Sequence, residues 1–254
     1  GTWLNSTGSE YKMWMWRANG GTTSTNTQGD INSTVQVDPS GCFSIVTYTG
    51  TLSGAGVETV GHGLSVAPSY IITKVIASGN WWVFSDGQTS WNYGMNLNDT
   101  TVSTDKSGNG SMSAPTTTVF STNNTEGLND SGGNIAYCFA NCEGYIKSGV
   151  YEGNGNADGA YVYCGFRPAF VISKAIDVAD SWFILDETRD PSNEAVKYLQ
   201  SNSSAAEAEH ANIGIDILSN GFKCRRSSNA LNGSGNDYIY LAFAKNPFQY
   251  ATAR

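Results

Sequence analysis

Charge is scarce in this sequence: 14% of its 254 residues are Asp, Glu, Lys or Arg, against about 25% in ordinary soluble domains. The basic side is the thinner one, with 14 Lys and Arg against 22 Asp and Glu, a net charge of −8 and an isoelectric point near 4.7. Gripping a phosphate backbone takes clustered cations, so no nucleic-acid groove is expected. Arg225-Arg226 comes nearest to a cluster and reads as a solvated pair on a loop. The two histidines, His62 and His210, fall at non-equivalent loop positions, and no Gly-x-Ser-x-Gly elbow occurs, so a nucleophilic triad has no support. No run of 18 apolar residues exists to cross a membrane as a helix. The five cysteines, Cys42, Cys138, Cys142, Cys164 and Cys224, are odd in number and irregular in spacing, and are expected as buried free thiols. Cys138 and Cys142 have no His or second Cys pair to complete a tetrahedral metal site.

What is abundant is turn chemistry. Glycine numbers 29, and Gly, Ser, Thr and Asn fill the gaps between short apolar runs, which is the punctuation of an all-β chain. A repeat underlies it. Leu128-Asn129-Asp130-Ser131-Gly132 precedes the run Ile135 to Ala140, and Leu231-Asn232-Gly233-Ser234-Gly235 precedes Tyr238 to Ala244. Leu4-Asn5-Ser6-Thr7-Gly8 precedes Tyr11 to Trp16 in the same way. The later two copies lie about 103 residues apart, which sets the size of the unit. Pro68 to Ile76 aligns without a gap with Pro168 to Ile176, and Trp82 to Asp86 with Trp182 to Asp186. A short polar turn joins each pair into a β-hairpin.

In chain order, residues 1–40 read as the closing strand of a preceding repeat, Tyr11 to Trp16, plus a connector with a possible short strand at Ile31 to Val37. Residues 41–148 form the first β-sandwich repeat and residues 149–254 the second. About seven short strands in roughly 100 residues predict an all-β fold of tandem β-sandwich modules, jelly-roll or lectin-like. Opening on Gly1-Thr2-Trp3, inside a copy of the signature, is expected of a C-terminal piece of a longer protein. Propensity favours a helix from Asn193 to Glu209. The Gly and Asn residues of its counterpart, Asn92 to Asn98, argue for an extended Val196 to Ser201, leaving one helical turn open at Ala205 to Glu209.

Three kinds of site can be weighed. Asp86 and Asp186 end equivalent hairpin strands, and their placement in separate modules points to strand-end hydrogen bonding in preference to glycoside hydrolysis. Gly153 to Gly159 places Asn154, Asn156 and Asp158 at alternate positions, a pattern that suits calcium and equally suits Asn-Gly turns. Of Trp81, Trp82, Trp91, Trp182, Tyr161 and Tyr163, which could stack on sugar rings, Trp82 and Trp182 occupy matching strand positions and are expected in the core. Trp81 and Trp91 lack counterparts, and with Tyr161 they are the candidate ligand contacts. The sequons at Asn32 and Asn202 read as turns without glycan.

The segments Gly61 to Lys74, Tyr137 to Lys174, Trp182 to Glu209, Ile215 to Arg225 and Leu231 to Arg254 resemble a repeated module of large virion proteins of marine tailed bacteriophages, where it ends tail-fibre-like chains. The resemblance runs from about Gly41 onward. It implies a structural role on the virion surface, assembly in the bacterial cytoplasm, other virion proteins and further copies of the chain as partners (a homotrimer), and no catalytic residues. Adhesion to host cell-surface polysaccharide is the expected function, with no cofactor beyond a possible calcium ion and no membrane insertion. A polysaccharide depolymerase and a capsid-decorating or filament-forming protein are the alternatives.

Overall fold

The computed structural model describes residues 7–8, 10–51, 54–77, 79–124, 128–129 and 131–247. The first half contains β1 (Ser24–Asn26), β2 (Ser33–Val37), β3 (Phe43–Tyr48), β4 (Val57–Gly61), β5 (Tyr70–Val75), β6 (Trp82–Ser85), β7 (Tyr93–Asn96), β8 (Thr104–Asp105), β9 (Val119–Asn123) and β10 (Asn134–Phe139). The second contains β11 (Ile146–Glu152), β12 (Tyr161–Tyr163), β13 (Pro168–Ala175), β14 (Phe183–Asp186), β15 (Lys197–Tyr198), β16 (Ala208–Glu209), β17 (Ile215–Leu218), β18 (Gly221–Cys224) and β19 (Asp237–Ala244). All the strand pairings within the sheets are antiparallel, as expected of an all-β chain.

The larger sheet of the first half runs β1-β2-β3-β10-β5-β6-β7-β8, and that of the second β11-β19-β13-β14. The stretch β3-β10-β5-β6 therefore has the same order as β11-β19-β13-β14. Smaller sheets, β4-β9 and β12-β18-β17, accompany them. Side-chain alternation sorts these into layers. Along β19, Tyr238, Tyr240 and Ala242 enter the core shared with β12-β18-β17, while Ile239, Leu241 and Phe243 enter a different one. Along β10, Ala136 and Cys138 face the core shared with β4-β9, while Tyr137 and Phe139 face that same different core. The two large sheets thus pack on each other, with a small sheet outside each. Strands buried on both faces explain the nearly continuous apolar run of β19, which a half-exposed strand would break with polar residues.

Phe43, Phe139, Phe170 and Phe243 bind the halves at this central layer, with Phe139 and Phe243 ring centroids 5.6 Å apart. Polar links cross it too. Trp182 Nε1 donates to Asn96 O (2.8 Å), Ser201 Oγ to Leu97 O (2.7 Å) and the Ser103 N–H to Ile176 O (2.8 Å).

The recurring Leu-Asn signature is a lock. Tyr48 Oη donates to Leu128 O (2.7 Å), and Tyr151 Oη to Leu231 O (2.9 Å). The next residue, a fully buried Asn, accepts the backbone N–H that follows the strand: Thr51 to Asn129 Oδ1 (2.8 Å) and Asn154 to Asn232 Oδ1 (3.0 Å). Gly50 and Gly153 complete it, because a Cβ would come within 2.1 Å of the Asn129 carbonyl in one copy and 2.3 Å of the Gly233 carbonyl in the other. The copy at Leu4-Asn5-Ser6 lies outside the described residues.

Several sequence expectations are corrected. Tyr11 to Trp16 is not a strand; Trp14 and Trp16 instead set their rings against Phe170, 5.5 and 5.8 Å away, while Met13 and Met15 stay exposed. The boundary drawn after residue 148 cuts through β11, and β1 and β2 within residues 1–40 extend the first large sheet. Cys42 and Cys142, expected as thiols, form a disulfide, with Cα atoms 5.9 Å apart. Antiparallel pairing of β3 with β10, which sets Phe43 opposite Phe139 and the Ala140 N–H on Cys42 O, brings them together, and the cysteine spacing alone does not report that pairing. Val196 to Ser201 contains β15 and is extended as expected, and the open position at Ala208–Glu209 is strand, not helix.

Candidate functional site

The hairpin register relocates the tryptophans. Thr73 pairs with Trp82, but the equivalent Ser173 pairs with Phe183. The second turn is therefore one residue longer, so Trp82 corresponds to Phe183 and Trp81 to Trp182. Trp82 and Trp182 are both buried, as expected, but a one-residue slip puts them on opposite faces. Trp81, expected to lack a counterpart, has one. The N–H of Trp81 donates to Asn98 Oδ1 and that of Trp182 to Asn202 Oδ1, each at 2.9 Å.

The three aromatic candidates do not converge. Half-buried Trp81 stacks on Tyr137 at 6.2 Å and lines an apolar cleft of about 340 Å³ between the large sheets, together with Trp14, Trp16 and Phe170. Half-buried Trp91 lies outside the first large sheet, beside a space of only about 20 Å³. Tyr161 is 46% exposed on β12, where Val162 points into the core and Tyr163, 63% exposed, shares the outer face. Tyr163 also lines an open groove of about 310 Å³ with Asn141, Glu143 and Lys147. Alternation along Tyr161-Val162-Tyr163 makes the ring pair legible in the sequence. Nothing local to Asn141, Glu143 or Lys147 does so, because they reach Tyr163 only through the stacking of β11 and β12.

Other chemistry-bearing groups are held in structural bonds. Asp186, counterpart of Ser85 by register, accepts the N–H groups of Thr188 and Arg189 and pairs with the buried Arg189 side chain at 2.5 Å. Asp86 corresponds instead to Glu187: their N–H groups donate to Ser69 O and Ala169 O, each at 3.1 Å. His62 is fully buried; its Nδ1 accepts the Leu64 N–H at 3.1 Å and its Nε2 lies 3.2 Å from Thr116 O. His210 Nδ1 accepts the Asn212 N–H. Burial pushes the thiols of Cys138, Cys164 and Cys224 up to about 12, far from the thiolate a nucleophile needs. Fully buried Lys174 clamps its hairpin turn through Ala175 O and Asp180 O and reaches Thr100 O in the other half. Burial draws its ammonium down to about 8.

In the loop weighed for calcium, Asn154 Oδ1 accepts the Asn156 N–H and Asn156 Oδ1 the Asp158 N–H, at 2.9 and 3.0 Å. Asp158 pairs with Lys223 and lies 3.6 Å from Arg225. Its oxygens thus make turns and ion pairs. Among the described residues no group of three or more His, Cys, Asp or Glu is placed to hold a metal ion, and no helix is long and apolar enough to cross a membrane.

Against known proteins, residues 2–247 match the family model described as Domain of unknown function (DUF7483). No curated protein and no solved structure matches.

Proposed function

From the premise that the chain belongs to the DUF7483 family, whose description assigns no activity, we propose that it is a non-enzymatic recognition protein of a tailed-bacteriophage virion surface. In this reading it is part of a tail fibre or related appendage, assembles as a homotrimer with other virion proteins, and adheres to host cell-surface glycan. The observation that carries the reading is the exposed Tyr161 and Tyr163 pair on β12, next to an open polar groove. Paired rings offered to solvent on a rigid strand suit stacking on the apolar faces of sugars. The groups that could have served catalysis, Asp186, His62 and the three thiols, are engaged in holding turns and cores.

The experiment is a pull-down of the chain on extracted host polysaccharide, with reducing ends assayed in the same tubes and the chain located on intact particles by immuno-electron microscopy. Binding without release of reducing ends, and label on the tail, are the expected results. Release abolished by Asp86→Asn or Asp186→Asn would replace the reading with a depolymerase, and label confined to the head would replace it with a capsid-decorating protein.

A further inference from the structure

We infer that the groove between the β10–β11 connection and the end of β12 is a binding site for a neutral glycan, with Tyr163 and Tyr161 as stacking floor and Asn141, Glu143 and Lys147 as its hydrogen-bonding wall. This inference rests on the recognition reading above.

The floor comes from strand geometry. Residues two apart on a strand project from the same face about 6.6 Å apart, so both tyrosine rings are offered as a platform on the outer face of β12. Both are exposed, although no core packing needs them there. At the Tyr163 end the platform runs into the groove of about 310 Å³, a size suited to one or two sugar rings by comparison with small-molecule sites of ~300–1,000 Å³.

The wall offers both hydrogen-bonding senses. Glu143 accepts, Lys147 donates, and Asn141 has its Oδ1 engaged by the Ser148 N–H at 2.7 Å, which leaves its amide nitrogen as the group to present. Vicinal hydroxyls, each donor and acceptor, match such a set, whereas an apolar ligand would strand it unpaired. Charge decides between sugars. Of the residues that line the groove, Lys147 and Glu143 carry the charges, one of each sign. The two charges offset each other, so the groove presents no net charge to recruit a carboxylated, sulfated or phosphorylated sugar.

The site is also held in shape. Cys142, on its wall, is tied to Cys42 by the disulfide, and the turn is closed by Tyr145 N–H to Cys142 O at 3.0 Å. Across the groove, Gly165 turns at φ +82° and its N–H bonds to Asn220 O. Little ordering remains to oppose binding.

The test is isothermal titration of the full chain with neutral hexasaccharides (maltohexaose, mannohexaose, xylohexaose) and with an alginate hexamer, on wild type, Tyr163→Ser, Lys147→Gln and the exposed control Met15→Ser. Circular dichroism confirms that each variant is folded. At least one neutral hexasaccharide is expected to bind, with affinity lowered tenfold or more in Tyr163→Ser and Lys147→Gln and unchanged in Met15→Ser. Neutral-sugar binding that survives both groove substitutions overturns the site and leaves the recognition reading standing. Tighter binding of alginate, or binding of host polysaccharide without any neutral hexasaccharide, overturns the neutral class. Failure to bind every sugar, host polysaccharide included, overturns site and reading together.

Discussion

His62 shows how this protein uses its few titratable groups. It has no exposed surface, and its hydrogen bonds fit one neutral tautomer: Nδ1 accepts from Leu64 and Nε2 donates to Thr116 O. Burial, opposed by the Thr116 carbonyl, holds its pKa below the usual histidine value. In the unfolded chain the ring takes up a proton as pH falls through about 6.5, whereas the folded ring resists until lower pH. The unfolded state then binds more protons, so stability falls on acidification, by at most about 1.4 kcal/mol per pH unit from this group. His62→Gln retains a donor for Thr116 and does not titrate. Urea denaturation at pH 7, 6 and 5 should show a flatter loss of stability in this variant than in wild type; parallel slopes would mean that His62 is not the group responsible.

At the scale of the element, the unit that recurs is the strand end with its Tyr, Gly and Leu-Asn lock. The two locks differ in load. Asn129 serves the Thr51 N–H and Glu58, whereas Asn232 serves the Asn154 N–H and also donates to Asn154 Oδ1, Asn156 O and Arg226 O. Each buried group left unpaired costs about 1–3 kcal/mol. Asn232→Ala should therefore destabilise by about 3 kcal/mol or more and Asn129→Ala by about 1–2 kcal/mol, read from chemical denaturation midpoints. The reverse order would refute this account of the signature. The signature itself was visible in the sequence because it is local, and so were the strands of the hairpins. Its purpose was not visible, since Tyr48 lies far along the chain from Leu128. The hairpin alignment failed by one residue for a related reason: a longer turn leaves the composition of both strands unchanged while moving Trp182 to the opposite face. Of the candidate site, Tyr161 and Tyr163 could be read from alternation. Asn141, Glu143 and Lys147 could not, because their position depends on how the sheet that carries β11 stacks on the sheet that carries β12.

At the scale of the whole molecule, the repeat suggests two separable modules, but the packing makes them one cooperative body. The central layer takes Phe43 and Phe139 from one half and Phe170, Leu241 and Phe243 from the other. The Trp182 bond to Asn96 and the Lys174 bond to Thr100 span the same junction. Parting the halves would expose an aromatic face to water on each, a cost neither small outer sheet can offset. Calorimetry of the intact chain should accordingly give a single transition with matching calorimetric and van't Hoff enthalpies. Phe243→Ala, which removes a ring contacting Phe139, Phe170 and Trp16, should cost about 3–5 kcal/mol. Because the loss falls on the shared layer, hydrogen exchange should show amides of β10 and β19 losing protection by the same amount. Two resolved transitions, with Phe243→Ala shifting only the one that reports β19, would establish that the halves fold independently.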